Sequence, residues 1–333
     1  MAATVVNGAQ GTTDAKDLEL LDKLAKARKD LAHQIGQRIV GQHDVVDGLV
    51  SAILAGGHVL MIGVPGLAKT LMIQTLAQAL DMSYSRVQFT PDLMPSDITG
   101  TELLEDDGTG KKHFRFTKGP VFANIILADE INRAPPKTQA ALLEAMQEHK
   151  VTASGKTYPL PEPFFVLATQ NPIEHEGTYH LPEAQLDRFM FELTVDYPSK
   201  QEEEQIVSQT TSAYQAVIKP VLNAAEISEL QQLVRRMPAP PSVVEYAVKI
   251  ARSSRPHEPS ATAEIRKYVS YGAGPRAGQN LVLGAKARAA MDGRSVPDLD
   301  DIKGVIGMVM RHRVVMNFQA EAEGVTIDKL IHE

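Results

Sequence analysis

From about Arg38 onward, short apolar runs alternate with longer stretches in which apolar side chains recur every three or four residues. The runs His58–Ile62, Arg86–Phe89, Asn124–Ala128, Phe164–Ala168 and Met190–Val195 predict strands. Between them, Lys69–Leu80 and Pro136–His149 predict helices; in the first, Leu71, Met72, Leu76 and Leu80 recur at helical spacing. Several strands are apolar nearly throughout, as expected for strands covered on both faces. Strands crossed over by helices imply an α/β fold with a parallel sheet.

The regions around this core read differently. Residues 1–14 are small and polar and predict a flexible tail. Asp14 is expected to cap a following helix in which Leu18, Leu21, Leu24 and Ala25 share one stripe. Two insertions interrupt the alternation, at 92–118 and 150–163. Gly108-Thr109-Gly110 in the first and Ala153-Ser154-Gly155-Lys156 in the second sit between β-prone flanks and predict hairpins. After Tyr197-Pro198 the strands are expected to stop. The predicted organisation is a tail and helix over 1–36, an α/β core over 37–198, a linker over 199–220 and an all-helical region over 221–333. Pro238–Pro241 and Pro256–Pro259 would break the helices of the last region.

Composition narrows the function classes. The chain has 333 residues, 43% of them hydrophobic, enough for a sizeable core. Its 34 basic residues against 41 acidic ones give a net charge of −7. That balance argues against a broad nucleic-acid footprint but leaves room for a local basic groove. With no cysteine, disulfides, thiolate metal sites and cysteine catalysis are excluded. No apolar run approaches the roughly 20 residues of a membrane span, and the first residues lack the order of a signal peptide. Cytoplasm is therefore the expected location.

Gly63-Val64-Pro65-Gly66-Leu67-Ala68-Lys69-Thr70 follows a predicted strand and opens a predicted helix, the context of a phosphate-binding loop. Inward-turned backbone N–H groups and the helix N-terminus would hold phosphates. Lys69 would reach the β and γ phosphates, and the Thr70 hydroxyl would bind Mg²⁺. The strict pattern has glycine where this chain has Ala68, so a methyl group there is expected to require a negative φ. A tight turn would explain Gly66 equally well, but not Lys-Thr at the start of an apolar helix.

Asp129 and Glu130 end the apolar strand Asn124–Ala128. Ligands of open α/β sheets bind beyond the carboxyl ends of the strands. Asp129 would sit near Mg²⁺, directly or through water, and Glu130 would act on the attacking water as general base or orient it. Solvated acids at a strand end are common. Their conjunction with Lys69-Thr70 is not, and it points to a Mg²⁺-ATP site.

The phosphate loop, Ala128-Asp129-Glu130-Ile131-Asn132-Arg133-Ala134 and Leu181-Pro182-Glu183-Ala184-Gln185-Leu186-Asp187-Arg188-Phe189 together resemble the MoxR family of AAA+ ATPases. Ala168-Thr169-Gln170-Asn171-Pro172, Gly272-Ala273-Gly274-Pro275-Arg276 and Arg311-His312-Arg313-Val314 extend the resemblance to nearly the whole chain from about residue 37. The Ala68 form of the loop is itself typical of that family. The implied fold is a P-loop AAA+ core with a parallel five-stranded sheet, two hairpin insertions and a smaller all-α lid.

The resemblance also implies roles that spacing cannot supply. Asn171 matches a first sensor that orients the attacking water; by itself, an Asn before Pro is ordinary turn chemistry. Arg188 matches an arginine finger reaching the γ-phosphate of the neighbouring subunit; its plainer reading is a surface pair with Asp187 or Glu183. Arg276 matches the second sensor, and the related insertions allow it to act on the neighbour's nucleotide. Ile39-Val40-Gly41-Gln42 matches the adenine-side motif, although Ile39 and Val40 alone would be read as core. The nucleotide contacts implied are thus Ile39, Val40 and Gly41 with Gly63, Pro65, Gly66, Leu67, Ala68, Lys69, Thr70 and Leu71. Lys111, Lys112, His113 and Arg115 make the first hairpin locally basic, as a contact surface or a solvated loop.

The resemblance implies a hexameric, chaperone-like ATPase working with partners that carry a von Willebrand factor A domain. The ATPase subunit of a metal chelatase is the nearest alternative. A nucleic-acid translocase is disfavoured by the net charge and the absence of Trp, and a non-hydrolysing scaffold by the presence of Glu130. The ten histidines lack metal-ligand spacing. Glu202-Glu203-Glu204 reads as a solvated helix start, and Met308, Met310 and Met316 as packing residues.

Overall fold

The computed structural model describes residues 15–106, 112–153, 155–173, 177–212 and 216–332. The chain begins with α1 (Ala15–Gly36) and α2 (His43–Ala55), followed by β1 (Val59–Ile62), α3 (Lys69–Ala79) and β2 (Tyr84–Gln88). The short α4 (Pro95–Thr99) leads into a hairpin of β3 (Gly100–Asp106) and β4 (Lys112–Lys118). Next come β5 (Ile125–Asp129), α5 (Pro136–Glu148), a second hairpin of β6 (Lys150–Ala153) and β7 (Lys156–Pro159), and β8 (Phe165–Gln170). The single-turn α6 (Glu183–Leu186) and β9 (Phe191–Thr194) complete the α/β part. The remainder holds α7 (Lys200–Thr210), α8 (Ala224–Arg236), α9 (Pro241–Ser253), α10 (Ala263–Tyr268), β10 (Val269–Tyr271), α11 (Pro275–Met291), α12 (Leu299–Lys303), α13 (Ile306–Met310), β11 (Val315–Met316), α14 (Phe318–Glu323) and α15 (Ile327–His332).

The main sheet has the order β2-β5-β8-β1-β9, and every pairing in it is parallel. Alternate side chains of each strand enter two different cores, as the period of two requires. Val59, Met61, Ile125, Leu127, Phe165 and Leu167 pack with α1, α2, α3 and the C-terminal helices. Leu60, Ile126, Ala128, Val166 and Ala168 pack on the other side with α5 and the segment around Phe89 and Ile98. Both layers are closed, which is why these strands are apolar throughout.

Both insertions are hairpins, as the sequence implied, and they touch. The rings of Phe116 and Tyr158 stack with centroids 4.2 Å apart. The turn residues Gly108-Thr109-Gly110, together with Lys111, Ser154 and the tail through Asp14, lie outside the described residues.

Three expectations are corrected. Strands do not stop after Pro198: β10 and β11 form a small antiparallel pair within the helical region. Half of the supposed linker is α7, which Ser199 caps by accepting from the Glu202 N–H while Glu202 reaches back to the Ser199 N–H. In α1 the buried stripe is Leu20, Leu21, Leu24, Ala27, Leu31 and Ile35, so Leu18 faces outward.

Candidate nucleotide site

The sheet order brings the predicted motifs to one edge. β8 lies between β5 and β1, with Ala168 beside Ala128 and Gln170 beside Ile62. Asn171, which follows β8, therefore stands between the loop that follows β1 and the Asp129-Glu130 pair that ends β5. This is the carboxyl edge at which such sheets bind ligands.

The loop leaves β1 at Gly63, where any Cβ would lie 2.8 Å from the Val195 carbonyl oxygen. Gly66 has φ 86° with open space around it, so glycine is needed there for its backbone conformation alone. Ala68, at the N-cap of α3, has φ 55° and ψ 21°. The expectation that its methyl group demands a negative φ is overturned. The loop keeps the left-handed conformation of a glycine and accepts a strain of roughly 1–2 kcal/mol. No side chain caps α3, so its first N–H groups remain available to an anion.

Lys69 opens α3, and its ammonium donates back to the Gly63 carbonyl. Half-burial pushes its pKa down, against the opposing pull of Asp129 and Glu130. Phosphate oxygens would offset that desolvation. Thr70 is half-buried beside it, while Pro65 and Leu71 are exposed and Leu67 packs partly on the core.

Thr169 organises the acidic pair. Its hydroxyl donates to Asp129 Oδ1 at 2.6 Å and accepts from the Glu130 backbone N–H at 2.9 Å. The other Asp129 oxygen accepts from Arg86 at 2.6 Å. Glu130 has φ 55°, and its carboxylate accepts from Gln88 at 2.8 Å and from Arg133 at 3.0 Å. Asn171 is buried; its Oδ1 accepts from the Ile173 N–H, and its Nδ2 has no partner among the described residues. Such an orphaned donor fits a water or phosphate oxygen at this edge.

The donor set also suits Mg²⁺. A hydroxyl, Thr70, and a carboxylate, Asp129, are hard oxygen ligands, and Mg²⁺ is commonly held by one or two such groups plus substrate phosphates. Among the described residues, no cluster of three or more His, Asp or Glu could enclose a metal by itself.

On the adenine-side motif, Ile39 is core and Val40 is half-buried. Gly41 has φ 67°, and the Glu202 side chain fills the space that a Cβ at Gly41 would take.

Arg188 and Arg276 are elsewhere. Arg188 precedes β9, whose first residues accompany Val59 and Leu60 at the start of β1. A cavity of about 940 Å³ there is lined by Gly57, His58, Arg188 and Arg276. This edge lies roughly 17 Å from the loop, taking five residues of strand at ~3.3 Å each. Arg188 does not pair with Asp187 or Glu183; among the described residues its guanidinium has no partner. Asp187 instead binds Arg276 at 3.1 Å and Arg313 at 2.8 Å.

Arg313 has no role in the sequence reading beyond its motif. Its side chain is 1% exposed, and it also donates to the carbonyls of Phe189 at 2.6 Å, Met190 at 3.1 Å and Val309 at 2.6 Å. Burial pushes its pKa down to about 10, with Asp187 opposing. His312 beside it bonds the Phe189 carbonyl at 3.1 Å.

The family profile described as the ATPase family associated with various cellular activities (AAA) matches residues 58–191, and an AAA lid domain profile matches 261–333. Chaperone MoxR1 of Mycobacterium tuberculosis is 42% identical over 300 residues, covering 90% of this chain and 78% of that protein. The chain belongs to the MoxR family of AAA+ ATPases. A second MoxR relative, Protein MoxR of Paracoccus denitrificans, is 30% identical over 297 residues, covering 84% of this chain and 86% of its own. The crystal structure of a Cytophaga hutchinsonii protein described as a candidate ATPase superposes with a TM-score of 0.87, at 39% identity and 94% coverage of both chains. The AAA fold carries nucleotide binding with it, and residues 261–333 of this MoxR-family protein match the lid domain.

Proposed function

We propose that this protein hydrolyses ATP to ADP and phosphate in a ring, remodelling or maturing partner proteins as a chaperone. The reading rests on one observation: Lys69, Thr70, Asp129, Glu130 and Asn171 share the carboxyl edge of the sheet, whereas Arg188 and Arg276 stand at the opposite edge. One subunit cannot bring both sets to one nucleotide. Two adjacent subunits can.

Each residue then has a task. The loop N–H groups and the α3 N-terminus hold the phosphates, and Lys69 exchanges its bond to Gly63 for phosphate oxygens. Thr70 and Asp129 would hold Mg²⁺, which when bound offsets charge on the β and γ phosphates. Glu130, aimed by Gln88 and Arg133, takes a proton from the attacking water or aligns it, and the free Asn171 amide orients that water. Arg188 of one subunit offsets charge on the neighbour's transferring phosphoryl group. Arg276 reports nucleotide state by exchanging Asp187 for phosphate.

The MoxR resemblance makes the assembly a hexamer, and its place of action in this reading is the cytoplasm. Its partners are proteins with a von Willebrand factor A domain, as the MoxR resemblance implies. The chaperone role is supported by the name of the Mycobacterium tuberculosis relative. ATP turnover per subunit, measured with Mg²⁺ over a wide range of protein concentration, tests the reading. Activity should rise with concentration and vanish in Glu130→Gln. High activity that is flat down to monomer concentrations would contradict it.

A further inference from the structure

The cavity that holds Arg188 contains more positive charge than an arginine finger and a sensor require. Five arginines line it, Arg188, Arg235, Arg252, Arg255 and Arg276, and no Asp or Glu does. This is unusual for a chain of net charge −7. Three of the five are answered within the subunit. Arg276 holds Asp187 at 3.1 Å, while Arg252 and Arg255 share Glu258 at 2.7 and 3.5 Å. Arg188 and Arg235 have no hydrogen bond or ion pair from their guanidinium groups among the described residues.

Arg235 is exposed in the last turn of α8. A cation there complements the helix dipole, which is its plainest explanation. But the next residue, Arg236, already supplies one and is tied to Asp17 at 2.8 Å. The environment of Arg235 is also repulsive. Lys286 donates to the Arg235 carbonyl at 3.4 Å, and both burial and the Arg235 charge push the Lys286 pKa down. Two unanswered guanidiniums on one cavity of about 940 Å³, a size typical of ligand sites, call for an anion.

We propose that Arg235 is a third cation, with Arg188 and Arg276, presented by the lid to the polyphosphate of the neighbouring subunit's nucleotide. This rests on the ring reading above, and it assigns the lid a direct contact with substrate in addition to its sensor. A planar guanidinium suits this task because it can meet two phosphate oxygens at once.

The test compares Arg235→Ala, Arg235→Lys, Arg236→Ala and Arg188→Ala in the full chain. Readouts are steady-state ATP turnover, assembly by light scattering, and ATP binding at concentrations where subunits are separate. Arg235→Ala should lose about tenfold in kcat/KM, with Arg235→Lys recovering part of it. Binding by separated subunits and assembly should be unchanged, and Arg236→Ala should match wild type. Wild-type turnover in Arg235→Ala alongside a dead Arg188→Ala overturns the proposal and leaves the ring reading standing. Wild-type turnover in both overturns the ring reading as well. Lost assembly, or lost binding by separated subunits, would make Arg235 an interface or folding residue and also overturn the proposal.

Discussion

Asp187 and Arg313, 126 positions apart in the chain, are joined by a 2.8 Å ion pair that fastens the lid to the residue preceding Arg188. Arg313 is fully enclosed, and its remaining donors are spent on backbone carbonyls of Phe189, Met190 and Val309. The position of Arg188 is therefore set by the lid as much as by the core. Arg276, by contrast, meets Asp187 from a side chain that is 42% exposed, and it can leave.

Removing the buried member should be costly. Arg313→Ala leaves Asp187 half-answered and several carbonyls without donors. We expect a loss of about 3–5 kcal/mol in chemical denaturation of the full chain. Asp187→Asn keeps the shape and the carbonyl bonds and should lose less. Equal, small losses for both variants would show that the pair does not secure this junction.

Thr169 holds both acidic residues through one hydroxyl. In Thr169→Val the Glu130 N–H and the Asp129 carboxylate each lose a partner at nearly constant volume. Stability should fall by about 1–3 kcal/mol, and turnover should fall further than ATP affinity, because the loop itself is untouched. A variant whose kcat matches wild type while its KM rises would mean that Thr169 serves binding only.

Glu192, on β9 under the lid, has its carboxyl pushed up to about 7 by burial, with Arg311 and Arg313 opposing and Asp328 assisting. For an acid with a raised folded-state pKa, the folded state holds the proton more tightly. Its stabilising contribution is complete below the unfolded value near 4.5 and is lost as pH rises through about 7. His58 works in the other direction: burial lowers its pKa to about 4, so its share of stability is lost as pH falls below 6.5. The wild-type curve mixes both. The difference between Glu192→Gln and wild type isolates Glu192. It should shift in favour of the variant by on the order of 2 kcal/mol from pH 5 to pH 8, below full conversion because the side chain is only half-buried. A difference constant with pH would place the Glu192 titration outside this window.

Local rules carried the sequence far at the carboxyl edge of the sheet. The strands are legible because two closed layers demand apolar residues on both faces, and Lys69, Thr70, Asp129 and Glu130 because they abut those strands. What was illegible depends on tertiary contacts or on segments too short for a period. β11 has two residues, and α7 buries no residue to mark a stripe. The plain reading of Arg188 paired it with its neighbours in sequence, whereas Asp187 takes its partners from 276 and 313. Ala68 is a different lesson. The methyl group argues for a negative φ, yet the loop holds φ 55°. The identity of one residue does not reveal what strain the surrounding fold will impose.

The central claim, a site completed between subunits, is tested most directly by mixing two inactive variants. Arg188→Ala retains Glu130, and Glu130→Gln retains Arg188, so in mixed assemblies some interfaces combine an intact base with an intact finger. Each variant alone should bind ATP and turn it over at least about 100-fold more slowly than wild type. Mixed in equal amounts, they should regain a substantial fraction of wild-type turnover. No recovery in mixtures shown to co-assemble would contradict the account and return Arg188 to a structural role.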